Sequence, residues 1–140
     1  GWAFKKDTND TRESAAIYVT EQLLQDKADI HIYDPKVSSD QIYSDLEYIQ
    51  NNRQNIYSDG LKVLSINEIR KMVKVNDNPY IALKDSHAAC ILTEWNEFKT
   101  FDWEKVYDSM LKPAFLFDGR GVLQREIINE IGFDFYSIGK

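Results

Sequence analysis

The chain has one cysteine, three prolines and six glycines in 140 residues, and each scarcity excludes something. A lone cysteine, Cys90, rules out an intrachain disulfide and fits a reducing compartment. It stands in the apolar run Ala88-Ala89-Cys90-Ile91-Leu92, where a small buried core residue is expected. So little proline and glycine excludes collagen-like and low-complexity chains. Lysine and arginine number 17 against 23 acidic residues, a net charge of −6. That balance excludes counterion-driven, nonspecific nucleic-acid binding, so any phosphate site must be local. No apolar run has the length of a membrane helix and no signal peptide opens the chain, which gives a cytosolic protein as the expectation.

The length suits one ordinary domain, and 43% hydrophobic with 29% charged residues is a globular balance. Short apolar or aromatic runs alternate with longer stretches of helical spacing, the pattern of βα units around a mostly parallel sheet. Strands are expected at Trp2–Phe4, Ile30–Tyr33, Val73–Val75, Ala88–Thr93, Ala114–Phe117 and Phe133–Ile138. The fold class is α/β, a Rossmann-like three-layer sandwich with about six strands. Asp10 with Glu13 suggests a capping box ahead of a first helix whose apolar stripe is Ala16, Val19 and Leu23. Further helices are expected around Ser39–Gln50, Ile66–Met72, Pro79–Lys84, Trp103–Leu111 and Leu123–Ile131. Turns fall at Asp34-Pro35, Ser58-Asp59-Gly60 and Asp118-Gly119, and the polar run from Asn51 to Asn55 resembles a solvated loop. Gly1-Trp2-Ala3-Phe4 has the look of the last residues of a buried strand, so the expectation is an excised domain whose parent continues N-terminally.

Ligands of open parallel sheets gather outside the carboxyl ends of the strands. Two basic loops fall there. The first, residues 4–14, carries Lys5, Lys6 and Arg12 between a strand and a helix N-terminus, a plausible anion cradle or a solvated turn. The second, Phe117-Asp118-Gly119-Arg120-Gly121, puts a forked guanidinium between two glycines, suited to a phosphate or a base carbonyl, or to a plain tight turn. Asp34 stands where a dinucleotide fold keeps its ribose acid, yet no G-x-G-x-x-G follows the first strand, and a strand-ending turn is the better account. His31 and His87 lack ligand spacing. No serine lies in a G-x-S-x-G setting. Trp95, Phe98, Phe101 and Trp103 suit packing rather than base stacking.

The two basic loops resemble the UDP-glucose 6-dehydrogenases, in the C-terminal UDP-sugar-binding domain of the UDP-glucose/GDP-mannose dehydrogenase family. Residues 1–14 are similar to the segment that opens that domain, and Phe117-Asp118-Gly119-Arg120 to its second signature. Ile32-Tyr33-Asp34-Pro35-Lys36-Val37, Thr93-Glu94-Trp95, Leu111-Lys112-Pro113-Ala114-Phe115 and Ile138-Gly139-Lys140 match in order. The segment between Val37 and Leu64 resembles the animal type more than the shorter bacterial one. Gly121 departs from the family, which often carries a second arginine or an asparagine there. The resemblance implies NAD-dependent, two-step oxidation of UDP-glucose to UDP-glucuronate through a thioester on a cysteine outside this chain; Cys90 does not match it. It implies UDP-sugar contacts from Phe4, Lys5 and Arg120, and places Arg12 on the cofactor side. It further implies that the NAD-binding N-terminal domain and a central helix are absent, that the isolated domain is inactive, and that the whole enzyme is a dimer or hexamer. GDP-mannose and UDP-N-acetylmannosamine dehydrogenases are the nearest rivals, and a stand-alone flavodoxin-like binding domain is the alternative of another class.

Overall fold

The computed structural model describes residues 1–52 and 63–138. Helices α1 (Ala15–Gln25), α2 (Ser39–Asn51), α3 (Ile66–Met72), α4 (Pro79–Leu83), α5 (Trp103–Ser109) and α6 (Arg125–Ile131) alternate with five short strands, β1 (Ile30–Ile32), β2 (Val73–Val75), β3 (Ala88–Ile91), β4 (Phe115–Asp118) and β5 (Asp134–Ser137). β1 and β2 pair in parallel, as do β3, β4 and β5 in that order. The α/β class with parallel strands is as expected. The strand count is five instead of about six, because one expected strand joins no ladder, and the described strands form two sheets instead of one.

The missing expected strand is Trp2–Phe4, which forms no ladder. Its Trp2 and Ala3 N–H groups donate to one carboxylate oxygen of Asp34, at 2.6 and 2.9 Å. A cavity of about 610 Å³ lies between the two sheets, lined by residues 28–33 around β1 and 88–92 around β3 with Gly1 and Trp2. Trp2 and Ala3 are nonetheless fully buried, and they belong to the core with Ile30, Ile42, Leu46, Leu116 and Phe135.

Helix α1 begins later than its capping box predicts. Glu13 has φ of 59°, outside the helical region, and the Ser14 hydroxyl accepts the Ala16 N–H instead. Its buried positions are Ala16, Thr20, Glu21 and Leu24, whereas Leu23 is exposed. The four-residue spacing of Ala16, Thr20 and Leu24 decides the inward stripe, and the hydroxyl of Thr20 hides that from a search for apolar residues. Asn51 extends α2 and Asn52 caps it, so the loop expected there starts later; residues 53–55 and the turn at Ser58-Asp59-Gly60 lie outside the described residues. The expected aromatic packing holds: Phe101 meets Tyr33, Tyr80, Phe98 and Trp103 at 5.3 to 6.3 Å between ring centres.

Cys90 corrects another expectation. Alternation along β3 turns Ala89 and Ile91 inward and Ala88 and Cys90 outward, so the thiol is exposed. In register beside it stand Phe117 and Tyr136, stacked at 5.3 Å and both exposed. One face of the three-stranded sheet therefore carries an apolar, uncovered stripe, although all-parallel sheets are normally covered on both sides. Among the described residues no helix is long and apolar enough to cross a membrane.

Asp34 holds the turn after β1. Its second oxygen accepts the N–H groups of Lys36 and Val37, and the first also accepts the indole N–H of Trp95 at 3.1 Å. Burial opposes its ionisation, but the N–H groups of Trp2, Ala3 and Lys36 outweigh that and hold its pKa below the usual carboxylate range. Asp34→Ala should lower unfolding stability by about 3 kcal/mol, since it orphans several donors at once. A depressed folded pKa stabilises fully above the ordinary carboxylate value and is lost as pH falls through the folded value. Urea denaturation from pH 7 down to pH 3 should thus show an acid-side loss in the wild type that is reduced in the variant.

Candidate functional site

The carboxyl end of β4 enters a turn built by Asp118. This buried carboxylate accepts the N–H of Arg120 at 3.0 Å and that of Leu123 at 2.8 Å. The Gly119 N–H bonds the Ile91 carbonyl at 3.0 Å, so the turn is moored to the end of β3. Gly121 has φ of 66°, the left-handed conformation that a residue without Cβ adopts freely. Arg120 leaves this fixed turn toward the first loop.

That loop is closed on itself. The Phe4 N–H bonds the Asp10 carbonyl at 3.0 Å, and the Asp10 N–H bonds the Thr8 hydroxyl at 3.1 Å. Behind it, the Thr93 hydroxyl donates to the Ala3 carbonyl at 2.7 Å, and Thr93 packs so closely on Gly1 that a Cβ there would fall 2.5 Å from it. The two loops meet at Glu94. One of its oxygens accepts the Lys6 N–H at 2.8 Å; the other accepts Arg120 Nε at 2.7 Å and also pairs with Nη2. Arg120 Nη2 lies 3.4 Å from the Phe4 carbonyl.

Three of the four expected site residues are thus neighbours. Phe4 is exposed, with Lys5 Nζ 5.5 Å from its ring centre and Arg120 at its carbonyl. Arg12 is elsewhere in its contacts. Its side chain is 88% exposed and pairs with Asp10 at 2.7 Å, and that hydrogen bond, with one from the Arg12 N–H, pulls the Asp10 pKa down to about 2. It precedes the helix cap at Ser14 and does not open the helix. Asp34 is spent on main-chain and indole donors, in keeping with its reading as a strand-ending turn. His31 sits 3.4 Å from Asp29, and the His87 carbonyl accepts the Phe115 N–H.

Glu94 was not foreseen as a site residue. Its only signal in the sequence is an acid directly after a buried strand end, within Thr93-Glu94-Trp95. Its pKa is held down: partial burial opposes ionisation, while the Lys6 N–H and the Arg120 guanidinium favour it. The first loop offers no glycine turn for a dinucleotide, and its Lys6 N–H is already taken. What the arrangement presents is a main-chain loop, an exposed aromatic ring, an ammonium and a guanidinium around the carboxyl ends of parallel strands, the equipment of an anionic-ligand site.

Fold and site together define a ligand-binding α/β domain of the nucleotide-binding kind. The chain belongs to the UDP-glucose/GDP-mannose dehydrogenase family as its UDP binding domain, whose family description matches residues 1–125. It is 51% identical over 140 residues to UDP-glucose 6-dehydrogenase 1 of Glycine max and 49% identical to UDP-glucose 6-dehydrogenase 4 of Arabidopsis thaliana. Each alignment covers 100% of this chain and 28% of the relative, so the chain spans under a third of their length. These relatives are plant proteins, which gives no support to the expected likeness to the animal type. A UDP-D-ManNAc dehydrogenase structure from Pyrococcus horikoshii aligns with 90% of this chain and 30% of its own at 18% identity, with a TM-score of 0.45.

The conformation of Gly121 gives a test of the turn that carries Arg120. Gly121→Ala should cost about 1 kcal/mol of stability through left-handed strain, and Gly121→Asn less, since asparagine tolerates that region. Thermal melts of the two variants beside the wild type would check the order.

Proposed function

We propose that the cleft between residues 4–6 and 118–121 binds the UDP part of a nucleotide sugar, within an NAD-dependent dehydrogenase that oxidises UDP-glucose to UDP-glucuronate in two steps. The observation that carries this is the meeting of Arg120 with the Phe4 carbonyl, with Lys5 beside the Phe4 ring, in a chain of the UDP binding domain family. A guanidinium fixed by its own hydrogen bonds, as Arg120 is, holds a diphosphate without reorganising, and such remote binding energy positions the sugar for chemistry elsewhere. The likeness to plant UDP-glucose 6-dehydrogenases favours UDP-glucose over the mannose-derived substrates.

On this reading the reactive cysteine and the dinucleotide loop belong to a part of the enzyme outside residues 1–140, and the domain alone is inactive. NAD supplies the hydride acceptor there, and of this chain's residues only Arg12 is assigned to its side of the cleft. The uncovered stripe of Cys90, Phe117 and Tyr136, whose first two residues also line the cavity between β1 and β3, is an apolar surface on which the N-terminal domain or a second subunit of a cytosolic oligomer would pack.

Titration calorimetry with UDP tests the assignment. Arg120→Ala and Lys5→Ala should each weaken UDP by about 1–3 kcal/mol, the cost of a charge-assisted hydrogen bond. Arg12→Ala should leave UDP affinity nearly unchanged and raise the KM for NAD in the intact enzyme. Equal loss of UDP affinity from Arg12→Ala and Arg120→Ala, with normal NAD dependence, would refute this division.

A further inference from the structure

Resting on the reading that this cleft holds UDP, we infer that Glu94 is a positioning residue of the site: it locks one edge of the Arg120 guanidinium and the Lys6 backbone so that the other edge faces the ligand. Its own backbone is held on both sides. Thr93 before it is fully buried and bonded to Ala3, and Trp95 after it is buried with its indole on Asp34. From that base the carboxylate reaches outward, taking Lys6 N–H on one oxygen and Arg120 Nε and Nη2 on the other. Nη2 also points toward the Phe4 carbonyl, while Nη1 has no partner among the described residues. An arginine held at Nε and Nη2 keeps its plane fixed, so the free Nη1 is presented in one direction.

Plain electrostatics makes the opposite prediction. A carboxylate beside a diphosphate repels it, so its removal should tighten binding. The sign of the effect therefore separates the two accounts. If Glu94 positions Arg120, Glu94→Ala should weaken UDP about tenfold, and Glu94→Gln, which keeps an acceptor for Lys6, should recover part of the loss. In the Arg120→Ala background Glu94→Ala should add much less than it costs alone, since only the Lys6 backbone is left for it to position.

The experiment is UDP titration of these single and double variants of the full chain, with melting curves beside them; Glu94→Gln carries the comparison should Glu94→Ala fail to fold. Unchanged or tighter binding by the Glu94 variants, or losses that simply multiply with Arg120→Ala, would overturn the inference. Failure of the underlying reading looks different: the wild type itself would bind no UDP. In that case the Arg120 Nε proton decides, because a protected nitrogen-bound resonance in the wild type that vanishes in the Glu94 variants supports the lock. Its absence from the wild-type spectrum contradicts it.

Discussion

The buried N–H groups of Trp2 and Ala3 join no strand ladder among the described residues, and the carboxylate of Asp34 takes both. An unpaired buried donor is expensive, so this one side chain stands in for a ladder. The same oxygen also takes the Trp95 indole, while its neighbour caps the turn through Lys36 and Val37. The end of β1, the opening residues and the segment after β3 are thereby fixed to a single point.

The site inherits its geometry from that point. Trp95 and Thr93 are both anchored, one on Asp34 and the other on the Ala3 carbonyl, so Glu94 between them projects from a rigid base. Its carboxylate then joins Lys6 to Arg120, which the Asp118 turn delivers from the other side. A chain of anchored acids, Asp34, Glu94 and Asp118, thus arranges the cations of a protein whose net charge is negative. The basic character of the cleft is local, as the overall composition required.

Much of this was legible in the sequence. Short apolar or aromatic runs and turn residues located β1 to β5, and the six helices were placed to within a few residues at their ends. Arg120 and Lys5 stood out through the family resemblance of their loops, since by residue type alone each loop fitted a solvated or plain turn as well as an anion site. What stayed hidden depended on contacts between distant residues. Nothing near Trp2 says that its amide bonds Asp34, 32 positions away, in place of a strand. Glu94 looked like any surface acid because its three partners come from positions 6 and 120. Cys90 was misplaced for a different reason: an unbroken apolar run does not show which residues alternate outward, and β3 has a bare face.

The central claim is that the loops at residues 4–6 and 118–121 form one UDP site. Nitrogen-15 amide spectra recorded through a UDP titration test it most directly. The account predicts that the amide resonances of Phe4, Lys5, Lys6, Gly119 and Arg120 move together with one dissociation constant, while those of α3 and α6 stay in place. Shifts confined to one loop, or centred away from both, would contradict it.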